Sequence, residues 1–280
     1  MNWLIIDEQI RTALLEDMYI EDITTDSTIE EESLALVELI AREDGILSGL
    51  QVFARVFSIL GEVKVDFFKK DGDGIKKDEL IGKIIGNTRA ILKGERVALN
   101  YLQRMCGVAT LTNSFVKELE GTNTKLLDTR KTTPNMRLLE KYSVKVGGGE
   151  NHRFSLSDGI LLKDNHIAAA GGILKSVALV RKNASFVRKI EVEVENLQMV
   201  EEALEAKADI IMLDNMNLEE MKEAVKIINK RALTEASGDI TLNNIRQVAM
   251  TGVDYISVGA ITHSYKAFNL SMKNLQKWKP

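Results

Sequence analysis

From about residue 120 onwards, short apolar runs alternate with amphipathic helical patterns, and this alternation most limits the folds open to the chain. The helical patterns include NLQMVEEALEAKA and NLEEMKEAVKIINKR, and successive runs lie about 20 residues apart. A strand, a helix and a further strand predict parallel pairing, because parallel strands need a long crossover. The apolar runs are Lys125–Leu127, Ser143–Val146, Gly159–Leu162, Ile190–Val194, Ile210–Leu213, Ala232–Glu235 and Tyr255–Val258.

These seven runs predict an α/β barrel of the eight-stranded kind with one strand missing or irregular. A doubly wound sheet would show the same local alternation, so the sequence leaves closure of the barrel open. Residues 1–112 mix helical and strand patterns and are predicted to form an α/β sandwich domain. The barrel domain is predicted over residues 113–265. Residues 266–280 are predicted to form an amphipathic helix that packs back on the N-terminal domain.

The composition narrows the class of protein. With 45% hydrophobic and 28% charged residues among 280, the chain is typical of a globular protein rather than a disordered one. It shows neither the ~20 apolar residues of a membrane span nor the pattern of a secretory signal, so no membrane partner is expected. A net charge of −4 argues against nucleic-acid binding. The single cysteine, Cys106, is expected to be a helix-core residue, and the cytoplasm is the expected compartment.

The segment from Asp128 to His166 concentrates positive charge, against the negative charge of the whole chain. Its cationic side chains follow strand runs, and the carboxyl ends of parallel strands are where α/β proteins bind ligands. Arginine binds planar carboxylates and phosphates through two hydrogen bonds, and lysine adds a compact charge. The candidate anion-binding residues are Arg130, Lys131, His152, Arg153 and Lys163.

The later strand ends carry carboxylates and small residues. Glu193 and Asp214 lie at the ends of EVEVE and IIMLDN, where they could hold Mg²⁺ against substrate phosphates. Ser237-Gly238 and Gly259-Ala260 lie at strand-to-helix junctions, where backbone N–H groups bind phosphate. Together these groups predict a diphosphate-bearing sugar and an anionic co-substrate as ligands.

Several candidates also have a purely structural interpretation. The glutamates of EVEVE alternate with valine and point to one side of their strand, so Glu191 can simply pair with a cation in the core. Asp214 can be a helix N-cap, and Lys163 can form a buried ion pair with Asp164. His263 can cap a helix or contact a dimer partner as readily as it can bind a ligand.

Long motifs follow one another between Leu34 and Ser264: ERVALNYLQRMCGVAT, LDTRKTTPNMRLLEKYSVKVGGGENHR, SDGILLKDNHI, IEVEVENL, IIMLDN, EASG and ISVGAITHS. In this order they resemble the quinolinate phosphoribosyltransferase family, also called carboxylating nicotinate-nucleotide pyrophosphorylase. The resemblance implies an N-terminal α/β sandwich and an irregular seven-stranded α/β barrel. It also implies a homodimer, in some members a hexamer, in which one subunit's sandwich domain covers the other's barrel mouth.

The family's reaction makes nicotinate mononucleotide, CO₂ and pyrophosphate from quinolinate and 5-phosphoribosyl 1-pyrophosphate with Mg²⁺, a step of NAD synthesis. Arg96, Arg130 and Arg153 resemble its clamp on the two quinolinate carboxylates, with Arg96 supplied by the neighbouring subunit. Glu193 and Asp214 resemble the acidic pair near the ribose hydroxyls and Mg²⁺, which they would hold mainly through substrate or water. The resemblance further implies substrate binding by Thr129, Lys131, His152, Lys163, Ser237, Gly238 and Gly259, and catalytic roles for Lys163, Glu193 and Asp214.

Two positions depart from the family pattern. Gly238 is followed by Asp239 where members often have a second glycine, which places a negative charge near the predicted phosphate site unless Asp239 faces away. Asn135 stands where glycine or alanine is common, and we expect this to be a harmless turn change.

Three other functions stay open on the sequence. A relative could use the same sugar donor with a different aromatic acid. A barrel aldolase could use Lys163 to form a Schiff base. A phosphosugar sensor would bind the donor without releasing pyrophosphate.

Overall fold

A computed structural model describes residues 1–279 and divides the chain into two compact units. The first unit comprises Met1–Leu111, Leu138–Gly147 and the residues from Tyr265 onwards, and the second comprises Thr112–Arg137 and Gly148–Ser264. The predicted domain ranges lack this interruption, because the segment 138–147 falls inside the range predicted for the barrel but belongs to the first unit.

The first unit contains a four-stranded antiparallel sheet, a short two-stranded sheet and five helices. Its strands are β1 (Leu34–Ala41), β2 (Gly45–Ile46), β3 (Val63–Phe67), β4 (Gly74–Ile75), β5 (Leu80–Asn87) and β12 (Leu270–Lys277), and its helices are α1 (Trp3–Asp17), α2 (Ile23–Thr28), α3 (Leu50–Leu60), α4 (Thr88–Glu118, whose end lies in the second unit) and α5 (Arg137–Val146, whose first residue lies in the second unit). The sheet order is β12-β1-β5-β3, and β2 pairs with β4.

Side-chain periodicity explains this sheet and its helix cover. In β1 every second residue is buried, from Ala35 to Ala41, so one face of the strand turns to the core. In α3 the buried residues follow helical spacing, and Phe53 and Phe57 pack edge to face with ring centroids 5.1 Å apart. The two patterns place an apolar helix face and an apolar sheet face in one core.

The prediction of a C-terminal helix is wrong. The segment forms strand β12, which pairs antiparallel with β1 in the first unit. Leu270 and Met272 are buried while Ser271 between them is partly exposed, which is the two-residue period of a strand. The segment is a strand because it hydrogen-bonds to the edge of β1. That partner is far away in sequence, so the local residues do not reveal it.

The second unit is built from six parallel strands and six helices of its own. The strands are β6 (Lys125–Leu127), β7 (Ile160–Leu162), β8 (Ile190–Val194), β9 (Ile210–Asp214), β10 (Leu233–Ser237) and β11 (Tyr255–Ser257), and the helices are α6 (Asp164–Ala170), α7 (Ile173–Asn183), α8 (Leu197–Glu205), α9 (Leu218–Ile228), α10 (Ile245–Ala249) and α11 (Ala260–His263). Each strand pair is parallel, as the alternation of strands and helices predicted.

The strand order is β6-β11-β10-β9-β8-β7, so the first strand of the unit pairs with the last. A doubly wound sheet does not have this order, whereas a barrel does. Beyond β6, on the side toward β7, the sheet continues as an isolated parallel bridge of Leu127 with Glu150. The unit is therefore an irregular α/β barrel of six strands and one bridge rather than seven full strands.

The predicted strand at Ser143–Val146 is wrong, because these residues end helix α5. Its buried residues include Leu139, Glu140, Ser143 and Val144, which recur at helical rather than two-residue spacing. Among residues 1–279, no helix has the length and apolar character required to cross a bilayer.

Candidate active site

One cavity of about 450 Å³ lies at the carboxyl ends of the barrel strands. All six strands contribute to it, either through their last residues or through the loops that follow them. The lining residues are Thr129, Arg130, Lys131, His152, Arg153, Leu161, Lys163, Glu193, Met212, Asp214, Asn215, Glu235, Ser237, Gly238, Asp239 and Ser257. We call this space the C-terminal-end cavity.

The loop after β6 is anchored before it reaches the cavity. Asp128 is fully buried, and its carboxylate accepts hydrogen bonds from the His152 backbone N–H at 2.9 Å and the Asn151 amide at 2.5 Å. Arg137 donates to the Arg130 carbonyl oxygen at 3.3 Å and to the Phe154 carbonyl oxygen at 3.1 Å. These bonds fix the backbones that carry the cationic side chains.

Arg130 and Arg153 place two guanidinium groups at the same cavity. Burial and the nearby charge of Arg130 lower the pKa of Arg153, although that pKa remains far above neutrality for any arginine. The Arg153 guanidinium donates to the Gly159 carbonyl oxygen at 3.0 Å, which holds it in place. Two like charges facing one space favour a ligand with at least two negative groups.

The carboxylates predicted near the metal also border this cavity. Glu193 on β8 forms an ion pair with Lys163, and only 10% of its side chain is exposed. Asp214 at the end of β9 accepts a hydrogen bond from the Asn215 side chain at 2.8 Å. The helix after β9 is capped by Asn217, so the N-cap interpretation of Asp214 is wrong. Lys163 pairs with Glu193 and not with Asp164.

The loop after β10 needs its glycine. Gly238 has a φ of 98°, and a Cβ at this position would overlap the Asn215 side chain and lie 2.9 Å from the Asn215 backbone nitrogen. Asn215 donates its backbone N–H to the Ser237 carbonyl oxygen at 3.0 Å, which joins the loops after β9 and β10. Asp239 lines the cavity and does not face away from it.

His152 lies between two carboxylates inside the barrel. Its Nε2 is 3.1 Å from Glu191 Oε2 on β8 and 3.4 Å from Glu235 Oε2 on β10. Burial opposes protonation of His152, but the hydrogen bonds to Glu191 and Glu235 outweigh it and raise its pKa above the ordinary value. Burial raises the pKa of Glu191 to about 7, against the opposing hydrogen bond from His152. The structural interpretation of Glu191, a pairing in the core, thus has His152 as its partner.

Two predicted site residues do not line the cavity. Arg96 is exposed on α4 in the first unit, and Gly259 lies behind Lys131, whose Cδ is 3.0 Å from the position of a Cβ on Gly259. His263 Nδ1 is 2.7 Å from the Ser264 hydroxyl. The lining residues that the sequence analysis did not assign to the site are Leu161, Met212, Asn215, Glu235 and Ser257.

Glu235 could have been found from the sequence. It alternates with Thr234 and Ala236 in a buried strand, the same signal that singled out the glutamates of EVEVE. Leu161, Met212 and Ser257 carry no such signal, because apolar and hydroxyl residues are common throughout strands.

Fold and cavity together define an α/β-barrel protein with a cavity at the carboxyl ends of its strands that is lined by arginine, lysine and carboxylate side chains. A family model for the C-terminal domain of quinolinate phosphoribosyl transferase matches residues 108–273, and one for the N-terminal domain matches residues 22–106. The chain belongs to the quinolinate phosphoribosyltransferase family.

Individual relatives agree over nearly the whole length. The chain is 44% identical to a probable nicotinate-nucleotide pyrophosphorylase [carboxylating] of Bacillus subtilis, over 97% of this chain and 94% of the relative. It is 40% identical to the chloroplastic nicotinate-nucleotide pyrophosphorylase [carboxylating] of Arabidopsis thaliana, over 94% and 81%. The crystal structure of NadC from Streptococcus pyogenes superposes with a TM-score of 0.97 at 46% identity, covering 100% of this chain and 99% of that one.

Proposed function

We propose that this protein is a carboxylating nicotinate-nucleotide pyrophosphorylase, a pentosyltransferase of NAD synthesis. It converts quinolinate and 5-phosphoribosyl 1-pyrophosphate into nicotinate mononucleotide, CO₂ and pyrophosphate. The observation that carries the proposal is the convergence of Arg130, Arg153 and Lys163 with Glu193 and Asp214 on one cavity. The names of the relatives support the same reaction.

Quinolinate binding is a matter of charge and shape. Arg130 and Arg153 would each hold one carboxylate of the ring through paired hydrogen bonds, and binding would relieve the repulsion between the two guanidinium groups. Arg96 from a neighbouring subunit would complete the clamp, so we propose a homodimer as the active form. Fixing the ring in this way directs the pyridine nitrogen at the sugar carbon that it attacks.

The sugar donor would occupy the other side of the cavity. Backbone N–H groups of the Ser237–Gly238 loop suit its 5-phosphate, and Lys131 and Lys163 suit the negative charge of the diphosphate. As pyrophosphate leaves, positive charge develops on the ribose C1. The carboxylates of Glu193 and Asp214 would stabilise this charge.

Glu193 and Asp214 also suit Mg²⁺. Both present hard carboxylate oxygens at the cavity, and one Glu193 oxygen is already engaged by Lys163. This arrangement fits an ion held mainly through substrate oxygens and water rather than through many protein ligands. When bound, the ion neutralises the charge of the diphosphate.

Decarboxylation follows from the chemistry of the ring. Once its nitrogen is bonded to the sugar and positively charged, it stabilises the electron pair left on the neighbouring ring carbon when the carboxylate leaves as CO₂, and a proton from water then bonds to that carbon. A nucleophilic side chain is not required. The ion pair of Lys163 with Glu193 disfavours the Schiff-base alternative, because an ammonium held by a carboxylate is not free to attack a carbonyl.

Product release tests the proposal. We expect purified protein with quinolinate, 5-phosphoribosyl 1-pyrophosphate and Mg²⁺ to release one CO₂ and one pyrophosphate per nicotinate mononucleotide. Arg130→Ala and Lys163→Ala should nearly abolish the reaction, and full activity in both would refute the assigned site. Turnover of nicotinate in place of quinolinate would indicate a different aromatic acid as substrate. Borohydride trapping on Lys163 would indicate an aldolase, and donor binding without pyrophosphate release would indicate a sensor.

The compartment of the protein is part of this proposal. Cys106 is the single cysteine and is fully buried, and burial raises the pKa of its thiol to about 12. A chain with this cysteine usage is compatible with a reducing compartment. We therefore place the enzyme in the cytoplasm.

A further inference from the structure

The barrel contains a second cavity, of about 250 Å³, at the opposite ends of its strands. Ile210, Leu233 and Tyr255, the first residues of β9, β10 and β11, line it. We call it the N-terminal-end cavity. His152, Arg153 and Glu235 line both cavities, and Glu191 lines only this one. The His152 side chain and its two carboxylate partners therefore form the layer that separates the two spaces.

Both ring nitrogens of His152 are engaged in this layer. Nδ1 accepts a hydrogen bond from the Arg153 backbone N–H at 2.7 Å, and Nε2 faces the carboxylates of Glu191 and Glu235. A hydrogen bond accepted by Nδ1 favours the neutral ring, whereas the two carboxylates near Nε2 favour the protonated ring. In either state Nε2 carries the hydrogen, and that hydrogen points at carboxylate oxygens.

The same geometry does not favour a metal ion, although His152, Glu191 and Glu235 have the spacing of a metal site. A histidine that binds a metal through Nε2 must carry its hydrogen on Nδ1. Here Nδ1 faces the Arg153 backbone N–H at 2.7 Å, so a hydrogen on Nδ1 would face another donor. The layer is therefore a hydrogen-bonded one.

Residues 151–153 have no regular secondary structure, yet they carry a guanidinium of the substrate clamp. Their backbone is held at one end by Asp128 and at the other by the His152 ring. The ring in turn is held by carboxylates from β8 and β10, strands that are not neighbours in the sheet. The orientation of Arg153 thus depends on two acids that the substrate need not touch.

The charge of Glu191 also links the two acids to Arg153. The negative charge of Glu191 acts on Arg153 in the direction opposite to burial and to Arg130, and it favours the charged guanidinium. The carboxyl groups of Glu191 and Glu235 are almost wholly buried, and the Oε1 atom of each lacks a hydrogen-bond partner among the described residues. Burying two such groups is costly, so a role beyond packing is expected for them.

We propose that Glu191 and Glu235 are positioning residues for quinolinate, which act through the His152 ring to fix the backbone and guanidinium of Arg153. The inference rests on the proposed function, because quinolinate is the ligand concerned. Without either acid the His152 ring is less firmly held, so residues 151–153 can shift. Arg153 then binds one carboxylate of quinolinate less tightly. Binding of the sugar donor, on the other side of the cavity, is left unchanged.

A double-mutant cycle with Arg153→Ala tests this link, with the dissociation constants of quinolinate and of 5-phosphoribosyl 1-pyrophosphate measured by calorimetry. In the otherwise unchanged protein, Glu235→Leu should weaken quinolinate binding about tenfold, the scale of one charge-assisted hydrogen bond. In the Arg153→Ala background the same change should weaken it less than twofold, because the group that it positions is gone. Glu191→Leu should give the same pattern, and it replaces Glu235→Leu in the cycle if that variant does not fold.

Two further variants separate positioning from general damage. Glu235→Gln keeps an oxygen that accepts from Nε2 and should restore most of the affinity. Glu150→Gln changes a glutamate of the same N-terminal-end cavity, ion-paired with Lys125 outside the layer, and should leave both constants unchanged.

Equal losses in both backgrounds, or parallel losses for quinolinate and the sugar donor, would overturn the proposal. No loss in either leucine variant would overturn it as well. If the unchanged protein itself neither bound quinolinate nor released pyrophosphate, the proposed function would fail instead, and the two failures are distinguishable.

Discussion

Gly238 lies in the left-handed region against Asn215, and no side chain fits at this position. We predict that Gly238→Ala weakens binding of 5-phosphoribosyl 1-pyrophosphate by at least tenfold, because the loop must move away from Asn215 and its N–H groups move with it. Steady-state kinetics with varied donor concentration would show this as a raised KM.

Gly252 provides a matched control for that substitution. It also has a positive φ, of 92°, but a Cβ there would lie 3.6 Å from the nearest atom of Val225, an ordinary contact distance. Gly252→Ala should cost about 1 kcal/mol of stability through backbone strain and leave the KM of the donor unchanged. Equal KM values for Gly238→Ala and the unchanged protein would contradict the role assigned to this loop.

Asp239 places a carboxylate at the cavity beside the same loop. We predict that Asp239→Asn lowers the KM for the sugar donor about three- to fivefold, since it removes repulsion between like charges near a largely hydrated surface. Asparagine also tolerates the left-handed backbone of this position, where φ is 47°. The gain should shrink at high salt, and a gain that is independent of salt would point to a steric cause.

At the scale of elements, Gly107 is a glycine that lets two stretches of backbone lie close together, and its conformational freedom is not what the fold requires. It lies within the continuous helix α4, and a Cβ there would overlap the Lys266 carbonyl oxygen and lie 2.9 Å from the Tyr265 ring. Alanine is the better helix former, but we predict that Gly107→Ala lowers the free energy of unfolding by about 1–3 kcal/mol because the backbone at 266 must move.

Urea unfolding with Asn100→Ala as the reference would measure this effect. Asn100 is exposed on the same helix, and its replacement should change stability by less than about 0.5 kcal/mol. A Gly107→Ala protein more stable than the unchanged one would show that the backbone at 266 yields at no cost.

The sequence predicted well those strands and helices whose spacing of apolar residues is fully visible within the element itself. The parallel strands from β7 to β11 and the helices between them follow from local apolar spacing, and the charged strand ends follow from the same pattern. The failures have a different origin. Strand β12 depends on the edge of β1, which is more than 200 residues away, and Ser143–Val146 is too short a run to separate a helix from a strand.

In the candidate site, too, features that follow from local sequence were predictable, and features that depend on distant parts of the chain were not. Arg130, Lys163 and Glu193 could be predicted as cavity residues because α/β barrels bind their ligands at the carboxyl ends of the strands. That His152 stands between carboxylates of β8 and β10 was not predictable, because it depends on closure of the barrel, which local spacing does not determine.

At the scale of the whole molecule, the origin of Arg96 decides how many chains build one site. We predict that Arg96→Ala and Arg130→Ala proteins are each nearly inactive and that mixing them restores about a quarter of the full activity. In the proposed homodimer, half of the randomly mixed dimers are hybrids, and each hybrid would have one site with both arginines intact. Activity measured after reversible dissociation and reassociation would show the recovery.

No recovery would mean that Arg96 and Arg130 serve a site from the same chain, since every site would then carry one lesion. A mixture of Arg130→Ala with Lys163→Ala provides the control. Both residues line the same cavity of one chain, so each of the two cavities in a hybrid dimer carries one lesion, and this mixture should recover no activity.

The layer of His152, Glu191 and Glu235 has a consequence for how this sequence can change over time. Many barrels fill their interior with aliphatic side chains, which can be exchanged one at a time for others of similar volume. An imidazole shared by two acids cannot drift in that way, because an apolar residue at any one of the three positions strands a charge or a donor in the interior. Apolar substitutions at these three positions should therefore be accepted together or not at all, and this part of the barrel should diverge in steps rather than gradually.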